Sequence, residues 1–150
     1  MTTRILCVCL GNTCRSPMAQ GAIEAMAAAA GLTVEVDSAG LGAWHAGNPP
    51  DPRGLTTAAR RGYDNAAQRS RLIATADFDT FDLILAMDAS NIARLEKLRP
   101  VGASAEIRLF HPSGRDIPDP YYGGLPDYEH ALDLIEEAAR GLIDGLSGDR

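Results

Sequence analysis

Four short segments rich in β-branched and other apolar residues alternate along the chain with longer segments of helical periodicity. The short segments are predicted to be strands, at residues 4–9, 33–37, 82–87 and 105–110. Helices are predicted at residues 16–30, 53–62, 88–99 and 127–146. Strands that alternate with helices are joined by right-handed crossovers, which align the strands in one direction. The sequence therefore predicts an α/β fold, with a four-stranded parallel sheet and helices on both faces.

The composition limits the class of protein. The 150 residues are typical of one globular domain, which we expect to span residues 1–150. The net charge of −6 argues against a nucleic-acid partner or an acidic membrane surface, and no apolar run is long enough to cross a bilayer. The three cysteines, Cys7, Cys9 and Cys14, crowd into eight positions. A secreted disulfide framework would use an even, spread set, so we expect a reduced, cytoplasmic protein.

The stretch "CLGNTCRSP", from Cys9 to Pro17, begins where the first predicted strand ends. Ligands of α/β proteins bind at the carboxyl ends of parallel strands. Backbone N–H groups of a loop between strand and helix form a nest for anions, and the helix N-terminus adds positive potential. Gly11 and Asn12 both tolerate left-handed backbone geometry. Arg15 adds a planar guanidinium whose parallel N–H donors match two oxygens of a phosphate group.

A cysteine at the centre of that field has its thiolate favoured, which makes Cys9 the candidate nucleophile for covalent phosphoryl transfer. Ser16 is predicted to cap the following helix, and its hydroxyl is also placed to donate to the thiolate. Cys7 is predicted to be a core residue. Cys14 lies five positions after Cys9 in a curved loop, and we expect it to form a disulfide with Cys9 after oxidation.

These residues resemble a known family. The segment "VCLGNTCRSPMA" is similar to the active-site loop of low-molecular-weight protein tyrosine phosphatases, with their C-x5-R-S pattern and a second cysteine before the arginine. The segments "DSAG", "GNPPDPR", "DFDTFDLILAMDASN" and "DIPDPYYGG" look like that family in the same order. The resemblance implies a flavodoxin-like domain without metal or organic cofactor. It also implies a phosphorylated protein as substrate and inorganic phosphate as product.

The resemblance also implies the roles of individual residues. Cys9 is the nucleophile, Arg15 binds the phosphate, and the rest of the loop contacts the substrate through Leu10, Gly11, Asn12, Thr13, Cys14 and Ser16. Two Asp-Pro pairs, at Asp51 and Asp119, compete for the role of general acid. The resemblance assigns that role to Asp119 and leaves Asp51 structural.

Further residues are expected around the loop. Tyr121 and Tyr122 resemble the family's aromatic wall, and Trp44 is expected on the opposite lip. Asn12 and Ser38 resemble the pair whose hydrogen bonds hold the loop in shape. The family often has a histidine near position 68 in this network, where this chain has Gln68, an amide that is also able to donate.

Three other functions compete with tyrosine phosphatase activity. Protein-arginine phosphatases of the same family carry threonine before the second loop cysteine, and this chain has Thr13. Thioredoxin-coupled arsenate reductases share the loop but need further cysteines, and residues 70–100 contain none. A phosphate-binding module without turnover is the third alternative. The presence of Cys9, Arg15 and Asp119 argues against such a module.

Overall fold

A parallel sheet of four strands forms the centre of the structure, a computed structural model that describes residues 2–148. The strands are β1 (Thr3–Cys9), β2 (Val34–Gly40), β3 (Leu83–Ala86) and β4 (Glu106–Leu109). The helices are α1 (Arg15–Ala29), α2 (Pro52–Arg60), α3 (Asp77–Thr80), α4 (Ala89–Leu98) and α5 (Leu125–Gly148). The strand order is β2-β1-β3-β4, and every pairing is parallel. This arrangement confirms the predicted α/β fold.

The two faces of β1 pack against different helices. Ile5 and Cys7 belong to the core that α1 and α5 cover, as predicted for Cys7. Leu6 and Val8 point to the other face, where they pack with residues of α3 and α4 such as Phe78. Because consecutive side chains of a strand alternate between faces, a wholly apolar strand must be covered on both. The prediction of helices on both faces is therefore confirmed.

Two of the predicted signals at helix ends are confirmed, and one is wrong. Asp88 caps α4 by accepting a hydrogen bond from the N–H of Asn91 at 2.8 Å, as predicted. Gly31, with φ of 72°, ends the turn after α1. The predicted cap at Ser16 is wrong, because α1 already begins at Arg15 and Ser16 makes no capping hydrogen bond. Its side chain instead enters the network described below.

Several element boundaries differ from the prediction by two or three residues, and α2 ends at Arg60 rather than at residue 62. β2 continues to Gly40, three residues beyond the predicted end at Asp37, because the whole strand pairs in register with β1. α5 begins at Leu125, two residues early, since Pro126 fits the first turn of a helix. Residues 64–81, which carry no clear sequence pattern, contain the four-residue helix α3 and a single bridge between Gly40 and Leu72.

The carboxyl ends of the strands meet at one edge of the sheet. β1 ends there at Cys9, β3 ends at Ala86 just before Asp88, and a long loop leaves β4 at the same edge. None of the helices within residues 2–148 combines the length and the apolar character needed to cross a membrane. The edge formed by the strand ends carries the candidate site.

Candidate active site

The segment that joins β1 to α1, residues 9–15, is called the Cys9 loop below. Its left-handed position is Asn12, with φ of 53°. Of the two residues that tolerate this geometry, Asn12 adopts it and Gly11 does not. A Cβ atom at Gly11 would lie 3.3 Å from Cδ2 of His45, so the glycine allows the imidazole to approach the loop closely.

The Cys9 sulfur is held by a chain of side-chain hydrogen bonds. Its Sγ lies 3.1 Å from Oγ of Ser16. Nδ2 of Asn12 donates both to Ser16 Oγ at 2.8 Å and to Ser38 Oγ at 2.9 Å, so the expected bond between Asn12 and Ser38 is present. Because Ser16 Oγ accepts from Asn12, its own proton is free to bond to the sulfur. A hydroxyl donor stabilises a thiolate at this position.

Arg15 is almost fully buried beside the sulfur, and one end of its guanidinium is already bonded. Nη1 donates to Asp88 Oδ2 at 2.6 Å and to the carbonyl of Ile117 at 2.9 Å. Nη2 lies 3.5 Å from Oδ2 of Asp119. Nε is buried and has no hydrogen-bond partner among residues 2–148. The edge formed by Nε and Nη2 therefore offers two donors to an anion.

The charges around Arg15 favour its ionised form. Burial alone lowers the pKa of Arg15, but the Cys9 sulfur and the neighbouring carboxylates outweigh this effect and the net pKa is raised. Burial raises the pKa of Asp88, but the hydrogen bonds from Arg15 and Asn91 have the larger effect, and the net pKa of Asp88 is lowered. The site therefore keeps a guanidinium paired to a carboxylate below the cavity.

A cavity of about 330 Å³ opens above the Cys9 loop. Its floor and walls are formed by Cys9, Leu10, Gly11, Thr13, Cys14, Trp44, His45, Asp119, Tyr121 and Tyr122. Trp44 and Tyr122 lie at the mouth, with 68% and 96% of their surface exposed. Asn12, Ser16 and Ser38 are buried and do not line the cavity. Their side chains form one hydrogen-bonded network with Cys9 behind the loop, and the expected contact of Asn12 and Ser16 with the substrate stays a prediction.

Asp119 reaches the cavity from the loop between β4 and α5. Its Oδ1 accepts a hydrogen bond from the N–H of Tyr121 at 3.1 Å, and its side chain is 40% exposed. Arg53 holds this loop by donating to the carbonyls of Tyr121 at 2.9 Å and Gly123 at 2.8 Å. The carboxyl of Asp119 is therefore presented next to Arg15 on a fixed backbone.

Asp51 lies just before α2, as its N-cap, and does not line the cavity. It caps the helix through the N–H of Arg53 at 2.9 Å and pairs with the Arg53 guanidinium at 3.0 Å. The Arg53 hydrogen bond also lowers the pKa of Asp51. The N–H of Asp51 donates to the carbonyl of Thr13 at 2.9 Å, so this aspartate is tied to the Cys9 loop through its backbone.

Comparison with known proteins identifies the family. The family model described as low molecular weight phosphotyrosine protein phosphatase matches residues 4–150. The chain belongs to this family. A low molecular weight protein-tyrosine-phosphatase from Streptomyces coelicolor is 41% identical over 95% of this chain and 93% of its own.

Solved structures agree with this assignment. YfkJ from Bacillus subtilis matches with a TM-score of 0.91 and 34% identity, over 100% of this chain and 98% of the other. DARP, described as the Drosophila arginine phosphatase, matches with a TM-score of 0.91 and 33% identity, over 97% of this chain and 99% of the other. The chain is thus a low molecular weight protein-tyrosine phosphatase by family, with an arginine phosphatase among its structural relatives.

Cys14, the second cysteine of this phosphatase loop, has a different environment from Cys9. Its side chain is 2% exposed, and its Sγ lies 3.2 Å from the hydroxyl of Tyr128 in α5. Burial raises the pKa of Cys14 to about 12, although the Tyr128 hydroxyl acts in the opposite direction. Cys14 is therefore a protonated thiol at neutral pH. Burial also raises the pKa of Cys7.

The sequence patterns did not point to several residues of the phosphatase site. His45 lines the cavity, although no chemistry was expected of it, and its position beside Trp44 in one loop is the only available signal. Asp88 was recognised as a helix cap but not as the partner of Arg15. Gln68 does not bond to Asn12 but donates to the carbonyl of Pro17 at 3.2 Å.

Proposed function

We propose that this protein hydrolyses phosphotyrosine on proteins through a phosphocysteine intermediate at Cys9. The proposal is supported above all by Cys9, which lines the cavity with its Sγ 3.1 Å from the Ser16 hydroxyl, and by the buried Nε of Arg15, which has no partner among residues 2–148. In this mechanism a tetrahedral phosphate bonds to Nε and Nη2 of Arg15 with its phosphorus next to the Cys9 sulfur. Trp44 and Tyr121, which both line the cavity, are the side chains proposed to contact the ring of the substrate.

The first half of the reaction transfers the phosphoryl group to the protein. The Cys9 thiolate attacks the phosphorus while the bond from phosphorus to the phenolic oxygen breaks. Asp119 gives its proton to that oxygen, so that tyrosine leaves as a neutral phenol. Arg15 and the N–H groups of the Cys9 loop bond to the equatorial oxygens, whose charge is largest in the transition state.

The second half returns the enzyme to its starting state. The Asp119 carboxylate accepts a proton from water, and the oxygen of that water attacks the phosphorus. The bond from sulfur to phosphorus breaks, inorganic phosphate leaves, and the Cys9 thiolate is restored. The Ser16 hydroxyl stabilises the sulfur as a leaving group, because it donates to the charge that returns there.

Cys9→Ser tests this mechanism. An alkoxide forms far less readily than a thiolate at neutral pH, so we expect turnover of p-nitrophenyl phosphate below about 1% of wild type. Binding of inorganic phosphate, measured by calorimetry, should survive because Arg15 and the loop N–H groups are unchanged. Cys7→Ser is the matched control, since that thiol is buried in the core and does not line the cavity. Activity of Cys9→Ser above a few per cent would exclude Cys9 as the nucleophile.

Phosphoarginine is the second candidate substrate, and two observations favour it. Thr13 lines the cavity, where its hydroxyl offers a polar contact to a guanidinium-linked phosphate. The Drosophila arginine phosphatase is similar in structure over almost the whole chain. The paired side chains of Tyr121 and Tyr122 at the mouth favour a flat aromatic ring and keep phosphotyrosine the first candidate.

Thr13→Ile separates the two substrates. If the Thr13 hydroxyl admits phosphoarginine, isoleucine should raise the ratio of kcat/KM for a phosphotyrosine peptide to that for a phosphoarginine peptide by about tenfold. Thr13→Ser keeps the hydroxyl and should leave the ratio near the wild-type value. An unchanged ratio in Thr13→Ile would remove Thr13 from substrate selection.

We also propose that the protein works in the reducing environment of the cytoplasm. Cys7, Cys9 and Cys14 are all free thiols. The proposed nucleophile needs its free thiolate, and such thiols persist where glutathione and thioredoxin keep cysteines reduced.

A further inference from the structure

A segment that contains Ser70 and Arg71 runs behind the Cys9 loop and joins it to the rest of the site. The Ser70 N–H donates to the carbonyl of Asn48 at 2.9 Å, and its carbonyl accepts from the N–H of Gly47 at 2.8 Å. Asn48 and Gly47 both lie in the loop between β2 and α2, and the same loop contains Trp44, which lies at the mouth of the cavity. The carbonyl of Arg71 accepts from the N–H of Gly40, at the end of β2, at 2.8 Å.

This segment also holds Asn12, the residue of the Cys9 loop with a positive φ of 53°. The hydroxyl of Ser70 donates to the backbone carbonyl of Asn12, and the N–H of Arg71 donates to Asn12 Oδ1 at 2.9 Å. Nδ2 is already bonded to Ser16 and Ser38. A left-handed conformation is unfavourable for a residue with a side chain and persists only where its surroundings fix it. Here those surroundings include Ser70.

The bond from Ser70 sets the direction of one particular N–H group. The carbonyl of Asn12 and the N–H of Thr13 belong to one planar trans peptide, so they point in opposite directions. Ser70 is buried behind the loop, whereas Thr13 lines the cavity above Cys9. Holding the carbonyl on Ser70 therefore aims the Thr13 N–H into the cavity. A donor fixed there before the reaction stabilises charge on a phosphoryl oxygen without rearrangement.

We propose that Ser70 is a positioning residue of the phosphatase reaction. Its hydroxyl fixes the peptide between Asn12 and Thr13, so that the Thr13 N–H donates to an equatorial oxygen of the transferring phosphoryl group. The inference rests on the proposed function, because it assumes phosphoryl transfer at Cys9. Ser70 thus supports the loop from the segment where the family often uses a histidine, while Gln68 bonds elsewhere.

Ser70→Ala tests the inference, because it removes the hydroxyl with little change in volume. With active sites counted by alkylation of Cys9 with iodoacetate, we expect kcat for p-nitrophenyl phosphate to fall about five- to tenfold. KM should change by less than about twofold, since the N–H bond strengthens mainly in the transition state. Inhibition by vanadate, which adopts the geometry of that state, should weaken about as much as kcat falls. Ser70→Thr keeps the donor and should keep kcat within about twofold of wild type.

Ser104→Ala is the matched control. Its hydroxyl is exposed and lies 3.4 Å from Asp79, before β4 and therefore at the opposite edge of the sheet. An unchanged kcat in Ser70→Ala, or a rise in KM without a fall in kcat, would overturn the positioning role. A fall in kcat as large in Ser70→Thr as in Ser70→Ala would also overturn it. If Ser70→Ala does not fold, Ser70→Cys replaces it, because a thiol has a similar volume and is only a weak donor. We expect the same fall in kcat for Ser70→Cys as for Ser70→Ala. An active Cys9→Ser enzyme would overturn the proposed function itself, which is a different and distinguishable failure.

Discussion

Nη1 of Arg15 and Oδ2 of Asp88 lie 2.6 Å apart, across the carboxyl ends of β1 and β3. The same nitrogen also donates to the carbonyl of Ile117 at 2.9 Å. Two acceptors from different parts of the chain therefore hold one end of the guanidinium. In the proposed mechanism the opposite edge binds the phosphate, and these two bonds set its orientation before the substrate binds. Such preorganisation lowers the entropic cost of reaching the transition state.

Asp88→Asn should lower activity without removing the helix cap. Asparagine caps a helix about as well as aspartate, but it bonds to Arg15 without a negative charge. We expect kcat for p-nitrophenyl phosphate to fall about tenfold, because the guanidinium is held less firmly. Asp79→Asn is the control, since Asp79 also accepts a backbone N–H, from Ser104 at 3.0 Å, but lies outside the site. Equal kcat values in the two variants would show that the charge of Asp88 has no part in turnover.

Asp88 should also make stability depend on pH in acid. Its pKa in the folded protein is below the ordinary value of 3.8. The stability that it contributes is therefore fully present above pH 3.8 and is lost as the pH falls through the lower folded-state pKa. We would measure urea unfolding of wild type and Asp88→Asn from about pH 6 to about pH 2. The difference in unfolding free energy should shrink toward the acid end, and a constant difference would contradict this linkage.

Arg15→Lys should be severely impaired although it keeps the positive charge. An ammonium cannot bond to Asp88 and Ile117 and also present two parallel donors to the phosphate. We expect kcat to fall on the order of 100-fold. Arg69→Lys, which changes an exposed arginine that bonds only to nearby carbonyls, is the control. Activity of Arg15→Lys close to wild type would remove the bidentate contact from the mechanism.

The parts of the fold that could be predicted are those with local signals. β1 and β3 are short apolar runs, because strands buried on both faces of a parallel sheet have no polar side. The Cys9 loop could be predicted as an anion-binding site, because the cysteine, the arginine and the start of the helix lie within a few residues of one another. By contrast, α3 has only four residues, too few for a periodic pattern to be distinguished.

The supports of the site could not be predicted, because they join residues far apart in the sequence. Asp88 is 73 residues from Arg15, and Ser70 is 58 residues from Asn12. Neither pair has a spacing that a helix or a strand imposes. Ser16 shows a related difficulty. A serine at a predicted helix start is normally a cap, and only the folded loop shows that its hydroxyl bonds to the Cys9 sulfur instead.

Asp119→Asn should affect substrates according to their leaving groups. A phenol of high pKa needs a proton as it departs, whereas one of low pKa leaves readily without it. We expect phosphorylation of the enzyme by phenyl phosphate to slow about 100-fold and by p-nitrophenyl phosphate much less. The measurement is single-turnover kinetics across a series of substituted phenyl phosphates. Equal losses across the series would point to another acid, and Asp51→Asn would then be tested.

Peroxide should inactivate the enzyme reversibly through Cys9 and Cys14. Hydrogen peroxide oxidises the Cys9 thiolate to a sulfenic acid, which condenses with the Cys14 thiol to form a disulfide and release water. A thiol reductant should then restore activity. Cys14→Ser should keep turnover but lose this protection, so that Cys9 passes to irreversible sulfinic acid. If Cys14→Ser recovers as well as wild type, Cys7 or an external thiol resolves the sulfenic acid instead.

The hydrogen bond between Cys14 and Tyr128 should control how fast this disulfide closes. Burial raises the pKa of Cys14 to about 12, and the Tyr128 hydroxyl limits the rise because it stabilises the thiolate. Tyr128→Phe removes that donor, so the reactive thiolate becomes scarcer. We expect slower disulfide closure and a larger irreversible fraction at the same peroxide dose, both followed by mass spectrometry. Tyr63→Phe is the control, because that hydroxyl bonds to Glu136. An unchanged rate of disulfide formation in Tyr128→Phe would show that the Tyr128 hydroxyl has no effect on the reactivity of the Cys14 thiol.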